Sequence, residues 1–258
     1  MATRSQKQPE QLPTVYPLIF SIAVAEIDDN EKERLYSLIY SYLVRRAVYG
    51  LTPKNLNKTF PRVVGFMLEN GVSCTTFAGA FADQTGPTVR FPSDAEFSEA
   101  VENRPLYLTI LRKDRLQDIL WELELASRSK FSVGTARPVG MSIEHILPIS
   151  WTTHWPLPDG RSAPDDGVTG ADEAMLTAIA ARRAALHTLG NLTLVTVPGN
   201  SAASNSGFME KADWLKKSLL ALNLEILERP TWGEAEIKER GGLLAMRATQ
   251  IWPNIAAP

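Results

Sequence analysis

The sequence predicts an α+β protein in which helices predominate: an N-terminal helical array, then a small core of two strands and a helix, with flanking helices. Three observations carry this. Apolar residues recur at helical spacing through most of the first 130 residues, the period changes to that of a strand at Met141, and a second strand follows Gly190-Asn191. At 258 residues the chain is long enough for one large or two small domains, and its 44% hydrophobic and 22% charged residues are the balance of an ordinary globular protein. Lys and Arg number 27 against 29 Asp and Glu, for a net charge of −2. No global basic field advertises a nucleic-acid partner, so any such site has to rest on a local patch. The single cysteine, Cys74, excludes an internal disulfide and any multi-cysteine zinc site, and it points to the reducing cytoplasm.

Residues 1–13 are polar and are expected to form a disordered tail. Arg4 and Lys7 ahead of the apolar run Leu18 to Ala25 imitate a secretory signal, but Pro9, Pro13 and Pro17 punctuate the lead and the apolar core is short. A buried helix over 14–26 is the expectation instead. No run approaches the roughly 18 apolar residues of a membrane-spanning helix. Asp28, Asp29 or Asn30 caps a second helix with Leu35, Leu38, Ile39, Tyr42, Leu43 and Ala47 at helical spacing, ended by Gly50. Thr52-Pro53 opens a third with Leu56, Phe60, Val64 and Leu68 on one face, which Pro61 should kink or break, and Gly71 closes it. A short helix is expected around 74–82. Ser93 and Glu96 form a capping box for a helix carrying Phe97 and Val101, and Tyr107 to Arg128 reads as one long helix or two. Residues 14–130 thus form a helical scaffold without a Gly-rich phosphate loop or a clustered acid–base set.

From 131 to 258 the pattern is different. A Gly- and Pro-containing boundary loop leads to a strand over Met141 to Ile146, stopped by Pro148. Residues 150–170, with Trp151, Trp155, Pro156, Pro158, Gly160 and Pro164, read as a surface loop. A helix over Asp172 to Leu186 turns Met175, Leu176, Ile179 and Leu186 inward and Arg182 and Arg183 to another face. Gly190-Asn191 is a turn signal before the strand Leu192 to Val197, and Pro198-Gly199-Asn200 is another turn. Ser204 or Asn205 caps a helix with Phe208, Ala212, Leu215, Leu219 and Leu220 inward. Thr231 to Glu234 forms a capping box for a last helix, weakened by Gly241-Gly242.

The chemistry-bearing residues gather in this second part. Hydrolysis of a phosphodiester needs a base to deprotonate water, a cation to offset developing charge, and groups that fix the geometry. Glu144-His145 at a strand end, a strand preceded by Asn191, a turn with Asn200 and then a helix form the order that a ββα-metal nuclease requires. A neutral imidazole at His145 suits the base. Glu144 and Asn200 offer hard oxygens that favour Mg²⁺ or Mn²⁺ over softer metals. Adjacent strand residues point to opposite faces, so Glu144 and His145 share a site only if the strand bends or ends there.

The runs Ile143-Glu144-His145-Ile146-Leu147-Pro148 and Leu189-Gly190-Asn191-Leu192-Thr193-Leu194, with Asn200, Asn205, Phe208 and Lys211, resemble the HNH-type nuclease domain at the C-terminus of GmrSD-like restriction proteins. The spacing of Asn191 and Asn200 is also similar to that in the HNH domain of CRISPR effector nucleases. By position, the resemblance implies His145 as general base, Glu144 and Asn200 as metal ligands, and Asn191 as a supporting asparagine of the catalytic set. It departs at Glu144, where many HNH domains have Asp, and at Asn200, where the third position is often His. It further implies DNA as substrate, a role in bacterial anti-phage restriction, and action with an NTPase or sensor partner, whose motif does not occur in this sequence. For contact with DNA the candidates are Lys211, one to two turns into its helix, the helix-capping Asn205, and His187, near a helix end four residues before Asn191.

Each candidate also has a purely structural reading. Asn191 and Asn200 are common turn residues, Asn205 a common cap, Lys211 a common solvated lysine, and His187 a favourable charge at a helix C-terminus. The contrasting function is a catalytically inactive helical module that binds DNA or a protein. A third alternative is a zinc hydrolase in which His145, His154 and His187 are the ligands.

Overall fold

A computed structural model describes residues 12–129, 136–166, 168–196 and 206–255. Ten α-helices and a two-stranded antiparallel sheet make up these residues, so the fold is α+β and predominantly helical, as expected. The chain divides into two compact units, Met1–Asp94 with Trp252–Pro258, and Ala95–Ile251. No helix among the described residues is long and apolar enough to cross a membrane.

The first unit contains α1 (Leu12–Ala23), α2 (Asp29–Tyr49), α3 (Leu56–Asn70) and α4 (Cys74–Gly79). Helix α1 is amphipathic rather than wholly buried: Val15, Leu18 and Ile22 enter the core while Tyr16 and Phe20 are exposed. Asp28 caps α2 by accepting from the Glu31 amide at 2.8 Å, and Gly50 ends it with a left-handed φ of 76° that a residue with a Cβ adopts only at a cost. Two expectations for α3 fail. The helix starts at Leu56 after Asn55, not at Thr52, and Pro61 does not break it. Its inward face is Leu56, Thr59, Phe60, Val63 and Met67, which leaves Leu68 exposed. Arg45, fully buried, donates to the carbonyls of Trp252 and Pro92 and to Asp94 Oδ1, and so fastens the chain's return to this unit.

The second unit contains α5 (Asp94–Asn103, from Ala95 on), α6 (Lys113–Ser127), β1 (Ser142–His145), α7 (Glu173–Ala185), a 3-10 turn (Leu189–Asn191), β2 (Leu192–Val195), α8 (Phe208–Lys216), α9 (Ala221–Leu227) and α10 (Glu234–Ile251). Strands β1 and β2 pair in the register Ser142 to Val195 through His145 to Leu192. Both are four residues long and survive because helices enclose them; an isolated hairpin of this size would be marginal. Gln117 on α6 donates to the Met141 carbonyl at the entry to β1. On α9, Asn223 accepts from Thr193 Oγ1 at 2.6 Å and donates to the Leu194 carbonyl at 3.0 Å, so all of β2 is buried and its polar groups are satisfied. The start of α9 is held by Glu124 of α6, whose buried carboxylate accepts from the amides of Ala221 and Leu222.

Several elements depart from expectation for identifiable reasons. Tyr107 lies in a loop before α6, because Leu108 takes a left-handed φ of 56° that no helix accommodates. The 150–170 segment is a loop whose aromatic residues are internal: Trp151, Trp155, Leu157 and Ala163 belong to the core with Ile146, Leu147, Met175, Ile179, Leu215 and Trp232. Arg182 is buried, not on an outer face. It donates to the Trp155 and Pro156 carbonyls, lies over the Trp151 ring and forms a two-pronged pair with Glu234, which pins that loop. Helix α8 ends at Lys216, and a left-handed Leu219, 83% exposed, separates it from α9. The last helix runs unbroken past Gly241-Gly242.

Candidate active site at the end of strand β1

Strand β1 stops at His145, and the two residues Glu144 and His145 point to different neighbours from the same strand end. His145 is 7% exposed, and its Nε2 lies 3.0 Å from Nδ1 of His187. The rings cross nearly perpendicularly, and Tyr107 closes over both, edge-to-face on His145 and near-parallel to His187. The Tyr107 amide donates to the His187 carbonyl at 3.3 Å, so the loop before α6 and the end of α7 are joined behind the two imidazoles. Burial depresses the His145 pKa from 6.5 to about 3, helped by His187 and the charge of Lys211, and burial lowers that of His187 too. Both rings are therefore neutral at pH 7.

Glu144 carries a side chain 17% exposed, and its Oε1 lies 2.8 Å from Nζ of Lys211 on α8. The lysine expected to reach a DNA phosphate is thus fully enclosed, with its ammonium on the carboxylate of the Glu-His pair. Burial lowers the Lys211 pKa while Glu144 raises it. Such a pair is favourable to keep and costly to break, since either partner alone would be a nearly enclosed charge.

Asn191 lies behind the strand end and is fully buried. Its Oδ1 accepts from the Leu147 amide at 2.8 Å and from Trp232 Nε1 at 3.3 Å. Its Nδ2 donates to the carbonyls of Leu147 and Leu186, each at 2.9 Å. The side chain therefore satisfies the backbone that leaves β1 and the backbone that leaves α7, and it fixes where His145 and His187 meet. Gly190 has a different task from the turn expected of it. Its φ is not left-handed, but a Cβ there would stand 2.1 Å from the Ile237 carbonyl oxygen of α10, so only glycine admits this approach. Arg240, fully buried on α10, donates to the Gly190 and Leu192 carbonyls at 2.8 Å each and holds the turn from the other side. Burial pulls its pKa down to about 10.

Of the sequence-predicted residues, His145, Glu144, His187, Asn191 and Lys211 come together around one strand end. Asn200 and Asn205 lie outside the described residues. His154 is exposed in its loop. Among the described residues, no group of three His, Cys, Asp or Glu side chains could hold a metal ion, so the three-histidine zinc reading is not borne out there. Sequence reasoning missed the contact between the two histidines and the closing role of Tyr107, which was assigned to a helix. For the first the available signal was that His187 lies four residues before Asn191, and for the second none existed.

A comparison with curated proteins finds no match. A protein-family model described as GmrSD restriction endonucleases, C-terminal domain, matches residues 91–247. That stretch is more than half of the chain, and it contains Tyr107, the Glu-His strand end, the Leu-Gly-Asn turn and Lys211. The chain belongs to the C-terminal domain family of the GmrSD restriction endonucleases, which suggests a nuclease role.

Proposed function

We propose that the chain is a metal-dependent HNH endonuclease or nickase acting on DNA. The observation that carries this reading is the meeting of a neutral, buried His145 with Glu144 at one strand end, braced by Asn191, in a member of a restriction endonuclease family. The two ligands the resemblance implies, Glu144 and Asn200, carry the hard oxygens that a divalent cation such as Mg²⁺ prefers. Glu144 brings carboxylate oxygens, one of which lies 2.8 Å from the Lys211 ammonium. Glu144 would hold Mg²⁺ or Mn²⁺ with Asn200, water and substrate oxygens completing the shell, and the ion would supply charge stabilisation at the phosphoryl group. His145 would take one proton from water as that oxygen bonds to phosphorus. The P–O bond to the leaving nucleotide breaks, and solvent protonates the departing oxygen. An approaching phosphate raises the His145 pKa through its negative charge, which strengthens the base when substrate is in place.

The expected setting is the cytoplasm of a bacterium, in anti-phage restriction. The family name of a C-terminal domain and the resemblance together support an NTPase or sensor part elsewhere in the system. Of the DNA-contact candidates Asn205 keeps that assignment, while His187 is reassigned to its contact with His145 and Lys211 to holding Glu144. The Glu144–Lys211 pair also favours a second reading, an inactive DNA- or protein-binding module, because the carboxylate already has its counter-charge. Incubation of supercoiled plasmid with the protein separates the two. Nicking in Mg²⁺ or Mn²⁺ that disappears with chelator supports the enzyme, and intact plasmid across a metal panel, with NTP and partner supplied, supports the module.

A further inference from the structure

We infer that His187 is a positioning residue that sets the tautomer of His145, holding its Nε2–H so that Nδ1 is left as the proton-accepting nitrogen. The inference rests on the reading of His145 as general base. Its basis is the 3.0 Å contact between His145 Nε2 and His187 Nδ1. A hydrogen bond between two neutral imidazoles requires one nitrogen to carry the proton and the other to offer a lone pair. Two arrangements satisfy it. In the first, His145 donates from Nε2, and both rings are Nε2–H tautomers. In the second, His187 donates from Nδ1, and both rings are Nδ1–H tautomers, so that His145 has no lone pair left for water.

The first arrangement is favoured on three grounds. Histidine side chains in water prefer the Nε2–H tautomer, and here both rings adopt it at once. His187 is half-exposed, so its Nε2–H can be solvated. Among the described residues no group hydrogen-bonds Nδ1 of His145, which leaves that nitrogen for a ligand. The same bond then serves the imidazolium formed on proton transfer, since Nε2–H keeps its acceptor as the ring becomes cationic. Tyr107 packs against both rings, edge-to-face on His145 and near-parallel to His187, which limits their freedom to turn away. A histidine oriented through its second nitrogen is a recurring device wherever an imidazole must present one chosen nitrogen.

The chain has only three histidines, which makes the tautomers directly readable. Long-range ¹H–¹⁵N spectra of the uniformly labelled full chain, with rings assigned through His154→Ala and His187→Ala, report which nitrogen of each carries the proton. The expected result is His145 held as Nε2–H in the wild type, averaging between tautomers in His187→Ala, and restored in His187→Asn, whose Oδ1 offers an acceptor where Nδ1 stood. An Nδ1–H or averaged His145 in the wild type overturns the inference. This readout is independent of cleavage, so it decides the inference even if no nuclease activity is found. Where cleavage is measured, His187→Ala is expected to lower kcat roughly 10- to 100-fold with KM little changed, and His187→Asn to recover most of it. Equal loss in both variants, or a change confined to KM, would also overturn it.

Discussion

The substitution Asn191→Asp tests the contribution of the buried amide, because it preserves shape while replacing the amide donors by an ionisable carboxyl. The retained Oδ1 can still accept from the Leu147 amide and from Trp232, but the two N–H donors to the Leu147 and Leu186 carbonyls are replaced by an oxygen. Each buried carbonyl left without a donor costs about 1–3 kcal/mol, so the anion loses roughly 4 kcal/mol from the pair and the protonated carboxyl, whose single O–H can serve one of them, about 2 kcal/mol. The new carboxyl avoids being a buried anion by binding a proton, which raises its folded-state pKa above the unfolded value of about 3.9. The mutant's folded state then binds more protons than its unfolded state, so its deficit must shrink as pH falls, by up to about 2.7 kcal/mol between pH 7.5 and 5.5. Urea unfolding followed by tryptophan fluorescence measures this for the right part of the molecule, since Trp121, Trp151, Trp155, Trp214 and Trp232 all belong to Ala95–Ile251. A gap to wild type below about 1 kcal/mol at pH 7.5, or one that widens on acidification, would refute the role given to the amide.

Three further outcomes are expected. Gly190→Ala places a Cβ against the Ile237 carbonyl oxygen at 2.1 Å, forcing the turn off α10, and should lower stability by about 3 kcal/mol or prevent folding, seen as a drop in the urea midpoint. Lys211→Met leaves Glu144 without its counter-charge and should cost about 3 kcal/mol, most of which Glu144→Gln in the same chain restores; additivity of the two single effects would contradict the pair. His145 has a folded-state pKa of about 3 against 6.5 unfolded, so stability is full above pH 6.5 and falls as pH drops below it. At pH 5, 1.5 units below the ordinary value, the loss is about 2 kcal/mol, and His145→Gln should remove that part of the pH dependence in urea titrations.

The helices were legible because each carries local signals: the Asp28 cap, Gly50, the Ser93 box and the apolar spacing of α2 are written in consecutive residues. So were the two strands, whose short apolar runs are bounded by Pro148 and by Gly190-Asn191. The interior of the 150–170 loop was not legible. Its tryptophans have no period, and only the tertiary clamp of Arg182, with partners 26 and 52 residues away, brings them inside. Pro61 and Gly241-Gly242 misled in the same direction, since packing of an apolar face overrides a local penalty of one or a few kcal/mol. At the site, residue identity and order pointed to His145, Glu144 and Asn191, but roles that depend on distance did not emerge. A buried lysine and a solvated one look alike in sequence, and the meeting of His145 with His187 joins residues 42 apart.

The central claim is that His145 does chemistry on a phosphodiester. Its most direct test is the single-turnover rate of plasmid nicking by wild type and His145→Ala, in the divalent metal that supports cleavage and with both proteins shown to be folded by fluorescence. The account predicts that removing the base lowers the rate by about 10² to 10⁴ without comparable loss of DNA binding. Equal rates in the two proteins would contradict it.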